Sequence, residues 1–316
     1  MRRAFVFPGQ GVQAVGMGQA LAQAYPAAAA VFEEVDAALG EPLSRLIWEG
    51  PADRLTLTEN AQPALMATSI AAMRALEAEG VPVTAADFVA GHSLGEYSAL
   101  CAAGAIGLAD TARLLRLRGR AMQAAVPVGV GAMAALLGLD HETARAVAAE
   151  AAQGDICEAA NDNDPAQVVV SGHRAAVERA VEIARARGAR RAVMLPVSAP
   201  FHCALMQPAA EAMAEALAGV EIRRPAVPVV SNVRAEAVSN PEEIRRLLVA
   251  QVTGAVRWRE SVLWMAAQGV SQIVEVGAGK VLSGLARRID RALDSRSVGT
   301  PEEVAALAAE LGARSG

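Results

Sequence analysis

Apolar and polar positions along the chain divide it into short buried runs and longer amphipathic stretches. Ala4–Phe7 is an apolar run that stops at Pro8-Gly9-Gln10-Gly11, which predicts a buried strand ending in a turn. A helical region is predicted from about Met17 to Leu39, and a second helix over Ala61–Ala78 with Pro63 in its first turn. Phe88–Ala90 reads as a strand with a helix starting just after Ser93, and Asp110–Ala124 as a helix with Asp110 at its N-cap. The next segment has its own order. Ala132–Leu139 is a predicted strand, His141–Ala152 a helix, Ile156–Ala160 and Gln167–Ser171 strands, Arg174–Arg187 a helix and Ala192–Val197 a strand. That β-α-β-β-α-β order is the split βαβ pattern of a ferredoxin-like domain. Alternation then resumes with Met206–Ala218, Val227–Val230, Pro241–Ala250, Val256–Gln268 and Gln272–Val276. The fold class expected is α/β: a large domain over residues 1–127 and 198–316, carrying a ferredoxin-like insert over 128–197.

Composition narrows the function classes. The chain has 316 residues, 53% of them hydrophobic and 20% charged, with 3% aromatic, so a large core must be built from Ala, Val, Leu and Ile. A net charge of −5 argues against a nucleic-acid partner. Lys280 is the one lysine, so an arginine by itself carries little information. Cys101, Cys157 and Cys203 are too scattered for a disulfide framework or a zinc site, which points to a reducing cytoplasm. The apolar stretch after Met1-Arg2-Arg3 is too short for a signal peptide. The longest apolar run, Ala124–Leu139, holds Pro127 and three glycines and falls short of a membrane span. No His, Cys or acidic spacing suits a metal.

Gly91-His92-Ser93-Leu94-Gly95 matches G-x-S-x-G between a predicted strand and a predicted helix, the context of a nucleophile elbow. A serine there sits at a helix N-terminus, and the N–H of Leu94 is the natural oxyanion donor. A serine needs a base. His92 adjoins Ser93 but the turn aims it elsewhere, while His141 and His173 read as solvated helix-end or loop residues. His202, in Ser198-Ala199-Pro200-Phe201-His202, lies on the loop where the insert rejoins the main domain and is the remaining candidate. Gly9-Gln10-Gly11 is either an ordinary tight turn or a second donor loop using the Gln10 N–H. On its helix, Arg118 falls inside the apolar arc of Leu114, Leu115, Leu117, Ala121 and Met122, whereas Arg113, Arg116 and Arg120 cluster opposite. A buried guanidinium calls for an anion, and both a structural carboxylate and a substrate carboxylate qualify. Gly119 is a possible break in that helix. Gly277-Ala278-Gly279-Lys280 fails the dinucleotide pattern at Leu282 and the P-loop pattern at Val274, and reads as a strand-to-helix turn.

With these pieces assembled, the chain resembles the malonyl-CoA:acyl carrier protein transacylases of bacterial fatty-acid synthesis. The resemblance rests on FPGQG (Phe7–Gly11), NAQPAL (Asn60–Leu65), GHSLGE (Gly91–Glu96), the Arg118-Gly119 pair, SGH (Ser171–His173) and SAPFH (Ser198–His202). It implies Ser93 as nucleophile, His202 as base, the N–H groups of Gln10 and Leu94 as oxyanion hole, and Arg118 as clamp for the malonyl carboxylate. It also implies that a backbone carbonyl at Gln251 orients the histidine, and that Gln62 and Asn161 line the site. The implied substrates are malonyl-CoA and the phosphopantetheine arm of acyl carrier protein, with no cofactor, in a ping-pong reaction. Exposed arginines such as Arg113, Arg116 and Arg120 are candidates for carrier docking. Val130 stands where many relatives carry glutamate. A serine hydrolase, a non-catalytic acyl-binding subunit and the malonyl-transfer subunit of a malonate decarboxylase are the competing readings.

Overall fold

The computed structural model describes residues 1–197 and 199–313. Ser198, the first residue of the SAPFH motif, lies outside the described residues. The strands are β1 (Arg2–Phe7), β2 (Phe88–Gly91), β3 (Gly131–Leu137), β4 (Cys157–Asp164), β5 (Gln167–His173), β6 (Arg191–Met194), β7 (Val229–Val230), β8 (Ala237–Val238), β9 (Val270–Val276) and β10 (Asp294–Val298). The helices are α1 (Gln19–Ala24), α2 (Pro26–Leu39), α3 (Leu43–Glu49), α4 (Ala52–Thr56), α5 (Thr58–Ala78), α6 (Gly95–Ala102) and α7 (Leu108–Ala124), then α8 (His141–Ala152), α9 (Arg174–Ala186), α10 (Gln207–Ala218), α11 (Pro241–Thr253), α12 (Trp258–Ala267), α13 (Val281–Ile289) and α14 (Pro301–Ala313).

One sheet runs in the order β10-β9-β1-β2-β7-β8, with all neighbours parallel except the β7–β8 hairpin. A parallel sheet must be covered on both faces, and the alternation along its strands shows how this is done. Phe5, Phe7, Val89, Val274 and Val276 face one core with α2, α5, α7 and α10, while Ala4, Val6, Phe88, Ala90, Val230 and Ile273 face a second core with α12 and α13. The other sheet is antiparallel, in the order β4-β5-β3-β6. On one of its faces Ala132, Ala134, Leu136, Val168 and Val170 pack under α8 and α9. On the other, Met133, Ala160 and Val169 form a small cluster against which Leu195, Val197 and Phe201 pack. The molecule is therefore a large α/β unit with a ferredoxin-like α/β subdomain.

Several local expectations change in the structure. The region Met17–Leu39 is two helices, broken at Tyr25-Pro26, and α3 and α4 follow it unforeseen. Helix α5 begins at Thr58, so Pro63 sits in its second turn instead of its first. A proline there leaves the carbonyl four residues earlier without its helical donor. That carbonyl, Glu59 O, instead accepts from Arg116 Nη1 at 2.7 Å. Helix α7 starts at Leu108 with Gly107 at the N-cap, and Asp110 lies within the first turn, paired with Arg113. Gly119 does not break α7. A Cβ there would stand 2.5 Å from Glu59 Cα and 2.7 Å from Thr58 O, so the glycine is what lets α5 and α7 touch.

Arg116 is 6% exposed and is held by Glu41, Glu59 O and Asn60, whereas Leu117 is 38% exposed. The angular reading placed Arg116 on the open face. It fails because α7 packs against α2, α5 and α10 together, leaving only a narrow outer stripe. Arg116 is thus not an exposed docking arginine; Arg113 and Arg120 remain exposed.

Candidate active site

The site gathers where β1, β2 and β7 end, at the carboxyl edge of the parallel sheet, the usual place for ligand crevices in such folds. Gln10 follows β1, Ser93 follows β2 and Asn232 follows β7. The subdomain closes the other wall with Met133 and Asn161, and the Leu195–Val197 stretch and Phe201 complete it. The resulting cleft has a volume of about 410 Å³ and is lined by Gln10, Gln62, Ser93, Leu94, Arg118, Asn161 and His202, among others.

Backbone geometry at the elbow follows from its two glycines. A Cβ on Gly91 would lie 1.9 Å from Gly95 O, and one on Gly95 would lie 2.2 Å from Phe7 O, so the turn can only close with both bare. Ser93 is left at φ 53°, a left-handed conformation disfavoured for a non-glycine residue and held only by surrounding contacts. Those contacts come from Asn232 and Gln251. Ser93 N donates to Asn232 Oδ1 at 2.8 Å, Asn232 Nδ2 donates to Gly91 O at 2.6 Å, and Gln251 Nε2 donates to Ser93 O at 3.0 Å. Among the described residues, the N–H groups of Gln10 and Leu94 have no protein acceptor. That of Leu94 stands at the start of α6, where the helix dipole favours negative charge.

Ser93 Oγ lies 2.8 Å from His202 Nε2. His202 is also left-handed, at φ 58°, and 4% exposed. Its Nδ1 faces two carbonyl oxygens, Gln251 O at 2.9 Å and Gly254 O at 3.2 Å. Carbonyls only accept, so the proton resides on Nδ1 and Nε2 is left to receive the serine hydrogen. Burial, followed by the charge of Arg118, depresses the imidazole to about 3, against the raising effect of the two carbonyls, so the ring is neutral at physiological pH. The loop carrying it is seated by close packing: a Cβ on Gly131 would lie 2.3 Å from Pro200 Cγ.

Arg118 is 1% exposed. Its Nη1 donates to Gln62 Oε1 at 2.8 Å, and its Nη2 donates to Gln251 Oε1 at 2.8 Å and to Ser93 Oγ at 3.1 Å. The guanidinium also lies 5.6 Å above the ring of Tyr97. Among the described residues no carboxylate forms an ion pair with it, although the charge of nearby Glu96 is felt. A structural ion-pair partner, one of the two anions compatible with the sequence, is therefore not what fills this site.

The remaining histidines serve structure. His92 turns away from Ser93, and its Nε2 meets Asn163 Oδ1 of β4 at 2.9 Å. His173 is not merely solvated: its Nδ1 accepts from Ile156 N at 2.9 Å and so ties the start of β4 to the end of β5. His141 stands 3.8 Å from the buried Asp162. Two contributors went unnoticed in the sequence. Asn232 stands just beyond a strand as short as Val229–Val230, and Glu96 closes the GHSLGE motif, where its sequence position gives it no task of its own. Position just beyond a parallel strand was the one available signal for Asn232.

Comparison with known proteins agrees with this geometry. Residues 4–311 match the model of the acyl transferase domain family. The chain is 48% identical to malonyl CoA-acyl carrier protein transacylase of Escherichia coli, over 96% of this chain and 97% of that one. The crystal structure of acyl-carrier-protein-S-malonyltransferase from Bartonella henselae superposes with a TM-score of 0.97 at 57% identity, covering 99% and 100% of the two chains. A malonyl-transacylase in complex with a type II PKS acyl-carrier protein superposes with a TM-score of 0.95 at 44% identity, covering 98% and 100%. By its full-length match and by the elbow it folds, this chain belongs to the acyl transferase domain family.

Proposed function

We propose that the protein transfers the malonyl group of malonyl-CoA to the phosphopantetheine thiol of acyl carrier protein through a malonyl-Ser93 ester. The observation that carries this reading is the convergence on one oxygen: Ser93 Oγ sits 2.8 Å from the neutral base His202 and 3.1 Å from the buried cation Arg118. The names of the relatives support it.

In the first half-reaction His202 Nε2 takes the hydroxyl proton as Ser93 Oγ attacks the thioester carbonyl carbon. The oxyanion points at the N–H groups of Gln10 and Leu94, each worth a few kcal/mol, on the order of 3, to the transition state. The imidazolium formed is stabilised by Gln251 O and Gly254 O. The tetrahedral intermediate collapses, the C–S bond breaks, and the CoA sulfur takes the proton from His202. The carrier's thiol then gives its proton to His202 and its sulfur attacks the ester carbonyl carbon; the acyl C–O bond breaks, and Ser93 Oγ takes the proton back from His202. The free carboxylate meets Arg118, which has to exchange its present contacts with Ser93 Oγ and the two glutamines for it. Gln62 and Asn161 line the acyl pocket in this reading. Each step uses protein groups, the thioester donor and the carrier's thiol, with no cofactor. The enzyme works in the cytoplasm, where the buried, unpaired Cys101, Cys157 and Cys203 stay reduced.

Intact-mass analysis tests this directly. Malonyl-CoA should add one malonyl group, mapped by digestion to Ser93, and holo carrier protein should remove it with formation of malonyl-carrier. No adduct on the wild-type protein, or release as free malonate in place of carrier transfer, would refute the assignment.

A further inference from the structure

Behind the residues that line the cleft lies a carboxylate that the reaction leaves without a task. Glu96 is 2% exposed and lies in the first turn of α6. Its Oε2 accepts from Asn232 N at 3.0 Å and from Gln251 Nε2 at 2.8 Å. The consequence follows from what each group can donate. An ionised carboxylate only accepts, so Gln251 must turn its NH2 toward Glu96, where the same NH2 also reaches Ser93 O. The amide is planar, so its Oε1 then points away from Glu96, and there Arg118 Nη2 donates to it at 2.8 Å. A guanidinium only donates. The Gln251 amide is thus wedged between two acceptor-only groups, Glu96 and Ser93 O, and one donor-only group, and one of its two orientations satisfies all three.

We propose that Glu96 is a positioning residue for recognition of the acyl carboxylate: together with Ser93 O it fixes which way round the Gln251 amide lies, and its charge strengthens the acceptor that holds Arg118 over Ser93. This rests on the malonyl-transfer reading. A protonated Glu96 is a donor as well as an acceptor, so it withdraws its share of that preference and leaves Ser93 O as the one acceptor-only group holding the NH2. A reversed amide would present its NH2 to Arg118 and release the guanidinium. Burial pushes Glu96 up to about 7, against the lowering effect of its bonds to Asn232 and Gln251 and of the charge of Arg118. The charged or titratable groups facing it are Arg118 from α7, Tyr97 on its own helix and, beyond Gln251, His202. Tyr97 is pushed up to about 12 by burial and His202 is held at about 3, so both stay neutral around neutrality, and of this group Glu96 alone changes charge there.

The test is the pH profile of selectivity, taken as the ratio of kcat/KM for malonyl-CoA to that for acetyl-CoA. In the wild type it should fall about tenfold on acidification through neutrality, the scale of one lost hydrogen bond to a charged group. Glu96→Gln, whose amide both donates and accepts, should show the lowered ratio at mildly alkaline pH and no pH dependence. Glu96→Asp should restore the pH dependence. A flat wild-type profile overturns the proposal, as does a folded Glu96→Gln protein with wild-type selectivity at every pH. If Glu96→Gln does not fold, the wild-type profile decides alone. The malonyl-Ser93 adduct on the wild type separates the two readings. Its absence removes both, whereas its presence with a flat profile removes only the role of Glu96.

Discussion

Replacing Arg118 by alanine should convert a malonyl-selective enzyme into one that barely distinguishes malonyl from acetyl. Arg118 is fully enclosed, so water does not screen its interaction with a bound carboxylate as it would at the surface. A carboxylate taking both Nη groups makes two charge-assisted hydrogen bonds, each worth ~1.5–3 kcal/mol. Allowing for the Gln62, Gln251 and Ser93 contacts given up in exchange, a net ~3–4 kcal/mol is lost with the side chain, or ~10²–10³-fold in kcat/KM for malonyl-CoA. Acetyl-CoA has no carboxylate and should change by less than about tenfold, since what alters for it is only the hydrogen bond from Arg118 to Ser93 Oγ. The malonyl-to-acetyl ratio should therefore fall by at least ~10-fold, and by ~10²–10³-fold if acetyl transfer is unchanged. The substitution also leaves Gln62 Oε1 and Gln251 Oε1 without their donor, at ~1–3 kcal/mol each, so Tm must be recorded beside the kinetics. Arg118→Lys keeps the charge but not the fork, and should fall between the two. A folded Arg118→Ala enzyme that keeps its malonyl-to-acetyl ratio would refute the clamp.

Two further outcomes follow from the same geometry. Gly119→Ala should lower Tm: the added methyl meets the backbone of Glu59 at 2.5 Å, and the ~1–3 kcal/mol of overpacking outweighs the ~1 kcal/mol of helix propensity gained; a raised Tm would mean that α5 and α7 separate easily. Acetyl transfer should keep its rate on acidification from neutral to about pH 5, because a histidine whose pKa is lowered to about 3 loses its basic form only near that value; a rate that falls with a midpoint near the ordinary histidine value of about 6.5 would contradict the buried, depressed His202.

Much of this molecule was legible without coordinates. Strand-to-helix context picked out the Ser93 elbow, elimination left His202, and helix angle put Arg118 in an apolar arc; the structure joins all three around one oxygen. The subdomain's β-α-β-β-α-β order was also readable, because period-two and period-3.6 patterns are local. What failed was local inference about surroundings. Arg116 looked exposed because one helix's angles say nothing about how many neighbours cover it, and Pro63 looked like a first-turn residue because the polar Thr58, Glu59 and Asn60 do not resemble the start of a buried helix. His173 looked idle because its partner, Ile156 N, lies 17 residues away.

The chain alone therefore determined the strand and helix order of the subdomain, the strained turn that presents Ser93, and the chemical types available to the site. Only the tertiary structure decided that Asn232 would brace that turn from 139 residues away, and that Gln251 would touch the serine, the base and the cation together. The physical reason is range: propensity and periodicity act over a few residues. The orientation of a buried amide and the protonation of a buried imidazole are instead set by whichever distant donors, acceptors and charges the fold brings within about 3 Å.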